Sequence, residues 1–108
     1  MTDRIWLKAY PPGMPTQVDP TQYSSLAALI EESFQKFAER PAYSFMGKDL
    51  TFAETDRLSL AFSAYLQSLG LVRGDRVAIM MPNVLQYPVV TAAVLRAGLV
   101  VVNVNPLY

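Results

Sequence analysis

Two short apolar runs flank a helix-length segment near the end of the chain, and they restrict the fold more than any other feature. From Leu99 to Val104, five of six residues are apolar and four are valine. Val77 to Met81 is apolar throughout. Short continuous apolar runs bounded by turn residues read as strands buried on both faces. Pro82-Asn83 stops the first and Asn105-Pro106 the second. Between them, Val89, Val90, Ala92, Ala93, Val94 and Leu95 leave almost no polar face. That predicts a helix to Ala97, buried on most sides and capped by Gly98. Pro88 falls early in it, so an irregular start is expected, with Asn83 as cap and Gln86 three residues on. Strand, helix and strand in this order make a right-handed βαβ unit of a parallel sheet. Such sheets need helices on both faces. The chain offers few helices for that, so one edge of the strand Leu99 to Val104 is expected to lie unpaired.

The preceding residues read as a hairpin between two helices. Residues 1–22 form an irregular arm, because Pro11, Pro12, Gly13, Pro15 and Pro20 forbid a long helix. Trp6, Leu7 and Tyr10 suit an extended segment pinned to the body, or a contact with a second subunit. Ser24 to Glu39 reads as a helix with Leu26, Leu29, Ile30, Phe34 and Phe37 on one stripe. Ser24 or Ser25 caps its start and Arg40-Pro41 ends it. Glu31, Glu32, Lys36 and Glu39 form the wet face. Tyr43 to Met46 and Leu50 to Phe52 read as hairpin strands around Gly47-Lys48-Asp49. Thr51 and Glu54 have the spacing of a capping box. The helix they open runs to about Leu69, with Leu58, Ala61, Phe62, Tyr65, Leu66 and Leu69 as its stripe and Gly70 as its terminal cap.

Composition excludes much common chemistry. The 108 residues contain no histidine and no cysteine, so triads, thiolate zinc sites and disulfides are absent. Nine basic residues balance nine acidic ones, which argues against nucleic acid as a partner. No apolar run approaches the roughly 20 residues needed to span a bilayer, and the first residues do not form a signal peptide. A reducing, soluble compartment is expected. A hydrophobic share of 52% is high for a short chain and suggests apolar surface meant for something beyond these residues.

No phosphate loop follows the first apolar strand. The turn "PNVLQYP" lacks glycine, and Gly13, Gly47, Gly70, Gly74 and Gly98 are scattered at turns and helix ends. Asn83 reads as a plain helix cap rather than an anion ligand. Asp56-Arg57 reads as part of an outer helix face. Arg73-Gly74-Asp75-Arg76 reads as a turn, with Asp75 or Arg76 tying it to the strand. Glu31 and Glu32 diverge on a helix and make a poor acid–base pair. Phe34, Phe37, Phe62 and Tyr65 read as core. The residues by themselves describe a scaffold.

Three stretches together carry a resemblance. They are the T-[FY]-x-E-x-D-R-L-S pattern at Thr51 to Ser59, "GDRVAIMMPN" and "RAGLVVVNVNPLY". Residues 50–108, with the helix from Ser24 and "RPAYSF" matching more loosely, resemble the start of an AMP-forming acyl-CoA synthetase of the adenylate-forming superfamily. "PNVLQYPV" and "WLKAYPPGMPTQVD" further resemble the bacterial long-chain fatty-acid–CoA ligases. The resemblance implies an α/β fold: the N-terminal fragment of the family's large domain, with three helices, a β-hairpin and a βαβ unit. It implies an arm over residues 1–22 and a truncated AMP-binding domain over residues 23–108, with the strand Leu99 to Val104 internal to a larger sheet. The implied reaction joins a fatty acid to AMP from ATP, with Mg²⁺ assisting and pyrophosphate released. Coenzyme A then takes the acyl group. The family's phosphate loop with its lysine, its aromatic–Thr–Glu segment, its ribose-binding Asp and its catalytic Lys match no position here. No catalytic, cofactor-binding or metal residue is therefore assigned. The implied partners are the rest of the large domain, fatty acid, ATP and coenzyme A. Self-association of the isolated segment is also expected, as is a cytoplasmic location with peripheral contact at the inner membrane. Two other readings compete: a segment of an aryl- or amino-acid-activating relative, and an independent small α/β interaction protein.

Overall fold

The computed structural model describes residues 3–108; the first two residues of the expected arm lie outside the described residues. The elements are α1 (Leu26–Lys36), β1 (Pro41–Phe45), β2 (Lys48–Thr51), α2 (Phe52–Ser68), β3 (Arg76–Ile79), α3 (Gln86–Arg96) and β4 (Val100–Asn103). A 3-10 turn at Ile5–Ala9 interrupts the arm, which is not simply extended. Trp6 is half exposed there and only Leu7 is partly covered, so the arm is held loosely.

Local chemistry explains the element ends. The Ser25 hydroxyl accepts from the Ala28 N–H at 3.0 Å and opens α1. α1 stops at Lys36, earlier than its periodicity suggests. The reason lies in the next helix. The Ala53 N–H donates to the Ala38 carbonyl and the Phe52 N–H to the Arg40 carbonyl, so these carbonyls serve α2's start. Phe34 is buried on the expected stripe, while Leu26 stays exposed. α2 opens with the complete capping box. The Glu54 N–H donates to Thr51 Oγ1 at 3.1 Å, and the Thr51 N–H to Glu54 Oε1 at 3.0 Å.

The hairpin turn is Met46-Gly47, not Gly47-Lys48-Asp49. Phe45 pairs with Lys48 and Ser44 with Asp49, which puts Lys48 and Asp49 inside β2. Met46 and Gly47 have φ of 49° and 79°, the left-handed pair that matches the twist of a two-residue hairpin loop.

β3 and β4 pair in parallel, Arg76 with Val100 through Ile79 with Asn103, with α3 as the crossover. The core gathers Leu66, Ile79, Val94 and Leu99, with Phe62, Val77 and Val101 against it. α3 is wet only at Gln86, as its composition requires. Pro88 sits third in the helix, where its missing N–H has no intrahelical acceptor to lose. Asn83 does not cap α3; Leu85 holds that position without a side-chain bond.

Two expectations about faces fail. The strands are not buried on both sides. Met80 is 62% exposed and Val100 and Val102 are 44% and 37% exposed, because α3, with Leu66 and Phe62 of α2 in the core beneath it, covers the opposite face. α2 also buries only part of the stripe expected. Leu66 is buried and Phe62 packs against the core, but Leu58, Tyr65 and Leu69 are exposed, while Thr55, Ser59 and Ser63 face inward. α2 packs chiefly on α3, whose buried residues include Ala92 and Ala93. Small side chains on both helices permit a close approach, and the hydroxyls do not go unpaired. Thr55 Oγ1 donates to the Thr51 carbonyl at 2.8 Å, and Ser59 Oγ to the Asp56 carbonyl at 3.1 Å.

Candidate functional site

The carboxyl ends of β3 and β4 open into a cleft of about 480 Å³. In parallel α/β sheets this is where ligands bind, because the strand-end loops diverge there. β3 delivers Met81 and Asn83, α3 delivers Tyr87, and β4 delivers Asn103 and Asn105. The Tyr87 hydroxyl donates to Asn103 Oδ1, joining the crossover helix to the last strand. The Val104 N–H donates to the Ile79 carbonyl at 2.9 Å and carries the pairing to the cleft's edge. Asn105 Oδ1 accepts from the Leu107 N–H at 2.9 Å, so its turn is closed locally. The lining mixes the carboxamides of Asn83, Asn103 and Asn105 and the phenols of Tyr87 and Tyr108 with apolar Met81, Val104 and Pro106, with no charged side chain among the described residues. Such a surface offers neutral donors and acceptors. It holds no nucleophile paired with a base, and no three acidic side chains among the described residues gather for a metal.

The residues weighed from sequence fall in three places. Asn83 reaches the cleft although it caps nothing. Arg73 to Arg76 form the expected turn: Asp75 Oδ2 accepts from the Val72 N–H at 2.8 Å, and the Val100 N–H donates to the Asp75 carbonyl at 2.8 Å. Asp56 is half-exposed at the seam with α3 rather than free on an outer face. Arg96 Nη1 donates to its carboxylate at 2.7 Å, and Arg96 Nε meets Glu31 at 3.3 Å. Arg57 and Glu32 are exposed. Phe34 is core, and Tyr65 is exposed rather than core. Nothing in a 16-residue separation marks Tyr87 and Asn103 as partners in the sequence.

A family model for AMP-binding enzymes matches residues 30–108. The chain belongs to the AMP-binding enzyme family. Curated relatives agree. The long-chain-fatty-acid–CoA ligase of Yersinia pestis is 52% identical over 107 residues, covering 98% of this chain and 19% of its own length. The ligase of the same name from Bacillus subtilis is 44% identical over 109 residues, covering 99% of this chain and again 19% of its own. The chain thus spans about a fifth of the length of these relatives. Among solved structures, Klebsiella oxytoca NpsA in complex with 3-hydroxyanthranilyl-AMSN superposes with a TM-score of 0.75 at 29% identity. It covers 79% of this chain and 17% of that one. VinN gives 0.71 at 31% identity, over 75% and 22%. The three helices, hairpin and parallel pair are therefore a piece of the adenylate-forming fold.

Proposed function

We propose that this chain is part of a long-chain fatty-acid–CoA ligase, in which fatty acid, ATP and coenzyme A yield acyl-CoA, AMP and pyrophosphate. The observation that carries this reading is 52% identity with a ligase of that name across nearly the whole chain. An aryl- or amino-acid-activating enzyme is the weaker reading, since NpsA, the neighbour solved in complex with 3-hydroxyanthranilyl-AMSN, shares only 29%.

The residues described do not fit a metal-bound triphosphate. No Lys or Arg lines the strand-end cleft, and α3's first turn carries Pro88 and no glycine. Mg²⁺ and coenzyme A belong to the whole enzyme in this reading, and no reaction step is assigned to these side chains. They build one wall of the large domain, with residues 1–22 as an arm on it and residues 23–108 within it. No helix among the described residues is long and apolar enough to cross a membrane. The reading places the enzyme in the cytoplasm, touching the inner membrane peripherally where its substrate partitions. The isolated chain self-associates through its open sheet.

A chimera tests the reading. The matching segment of the Yersinia pestis ligase is replaced by this chain, and acyl-CoA formation from oleate, ATP and coenzyme A is measured. Turnover within tenfold of the parent is expected. A folded chimera that forms no acyl-CoA would count against it. The 108-residue chain alone should form none.

A further inference from the structure

The tip of the β1–β2 hairpin holds an apolar side chain where local chemistry favours a polar one. Met46 has a φ of 49°, in the left-handed region where a side chain strains the backbone. It is the one non-glycine residue with a positive φ among the described residues. The first place of such a two-residue loop suits Asn, Asp or Gly. Met46 is also 91% exposed, so burial within the chain does not offset the strain. Strain held at an exposed apolar residue points to a contact made outside the fold.

The hairpin's pairing sorts what surrounds the tip. Phe45 lies opposite Lys48 and Ser44 opposite Asp49, and successive pairs face opposite sides. The exposed Phe45 ring therefore shares a side with Lys48. On the other side the Ser44 hydroxyl donates to the Asp49 carboxylate. Beside Lys48 lies a hollow of about 390 Å³, walled by Leu58 and Phe62 of α2 and by Leu85, Gln86 and Val89 at the start of α3. Lys48 is its one charged lining residue. Glu54 is near enough to feel that charge, but its carboxylate is occupied by the Thr51 N–H. The chain as a whole carries no net charge, so any pull on an anion here is local to Lys48.

These features select among partners. A stable protein interface needs a complementary face on the order of 1,000 Å², and the tip offers one methionine and one phenylalanine. A small soluble anion would use Lys48 and leave Met46 and the apolar hollow idle. A bilayer accepts a single protruding apolar side chain, with a cation level with the headgroups. A phospholipid uses all three features. Resting on the peripheral membrane contact proposed above, we infer that the hairpin tip seats this chain on anionic phospholipid. Met46 enters the acyl layer, Lys48 meets a headgroup phosphate, and the hollow takes one acyl tail.

Flotation of the 108-residue chain with vesicles of equimolar dioleoylphosphatidylglycerol and dioleoylphosphatidylcholine tests this. Met46→Asn suits the turn and removes the apolar tip. It should unfold at the same or a higher urea concentration than the parent, yet bind the vesicles roughly tenfold more weakly. Lys48→Gln should bind about fivefold more weakly and lose the preference over vesicles of dioleoylphosphatidylcholine alone. Leu58→Trp fills the hollow and should weaken binding severalfold with its helical circular dichroism intact. Val102→Ser, on the open sheet face, should bind as the parent does. Full binding by Met46→Asn, or binding lost in Val102→Ser, overturns the inference. So does a parent chain that binds no vesicle, which would leave the tip to a protein partner. Flotation of the chimera separates this inference from the ligase reading. Acyl-CoA formation with vesicle binding indifferent to Met46→Asn defeats the tip alone. Binding that depends on Met46, in a folded chimera that forms no acyl-CoA, defeats the ligase reading alone.

Discussion

Arg96 Nη1 lies 2.7 Å from Asp56 Oδ1, across the seam between α3 and α2. The same nitrogen donates to the Asp56 carbonyl at 3.1 Å and to Ser59 Oγ at 3.0 Å. Nε reaches Glu31 on α1, and the guanidinium stands 5.6 Å over the Phe34 ring. One planar cation thus ties three helices together at the end of α3. Its side chain is 10% exposed, so its desolvation must be offset by these bonds. Its partners Asp56 and Glu31 are wetter, at 37% and 49%, which limits what each pair contributes. Arg96→Met should cost about 2–3 kcal/mol in urea unfolding, mostly through the Asp56 and Ser59 bonds. Arg96→Lys should recover little, because a point charge cannot reproduce the fork. Full stability in Arg96→Lys would mean that charge alone suffices.

Val94 is wholly buried in α3 and packs with Leu66, Ile79 and Leu99. Val94→Asp would place an unpaired carboxylate there. Its burial should cost about 4 kcal/mol or more, enough to unfold a small segment. A thermal melt within a degree or two of the parent would show that α3 is not enclosed as described.

Glu54 gives α2 a pH dependence of definite sign. The Thr51 backbone N–H donates to its carboxylate and, with the Thr51 side chain, holds its pKa below the ordinary glutamate value. A carboxylate lowered on folding stabilises the folded form at pH values above its unfolded value, about 4.3. That contribution disappears as the pH falls through the lowered value. Helical circular dichroism should therefore decline on acidification below that range. Glu54→Gln keeps a side chain able to complete the box and removes the titration. Its acid profile should be flatter; an unchanged profile would place the titration elsewhere.

What the sequence made legible was local. Thr51 and Glu54 are three residues apart, so the capping box shows in the letters. The apolar run of α3 and the two apolar strands needed only periodicity and length. Lys48 and Asp49 are ordinary turn formers, so the letters favour a turn at Gly47-Lys48-Asp49 over Met46-Gly47, and only pairing with Phe45 and Ser44 shows Lys48 and Asp49 in β2. The Arg96–Asp56 tie joins residues 40 apart, which no pattern reports. α2's inward stripe of Thr55, Ser59 and Ser63 ran against hydrophobic periodicity, since close helix contact favoured small side chains over large ones. The cleft was illegible for the same reason as the tie. Asn83 reads as a cap and Asn105 as a stop, and only the parallel pairing brings them to one opening.

The open face of the β3–β4 pair predicts how the chain behaves in solution. Each strand has one neighbour among the described residues, so backbone groups on both outer edges face away from the sheet. Met80, Val100 and Val102 stand exposed on the face that α2 and α3 leave bare. Such a face, beside unpaired strand edges, is a template for another copy. Two strands alone are also marginal, so pairing with a second chain extends a sheet that gains from length. Sedimentation at micromolar concentration should find dimers or larger species, with hydrophobic dye bound to whatever monomer remains. Val102→Lys puts a charge in the middle of that face and should shift the chain toward monomer while its helical circular dichroism stays intact. A monomeric parent with no dye bound would show that α2 and α3 shield the sheet well enough without a partner. A Val102→Lys chain that associates as before would move the contact elsewhere, to the arm where Trp6 and Tyr10 are exposed.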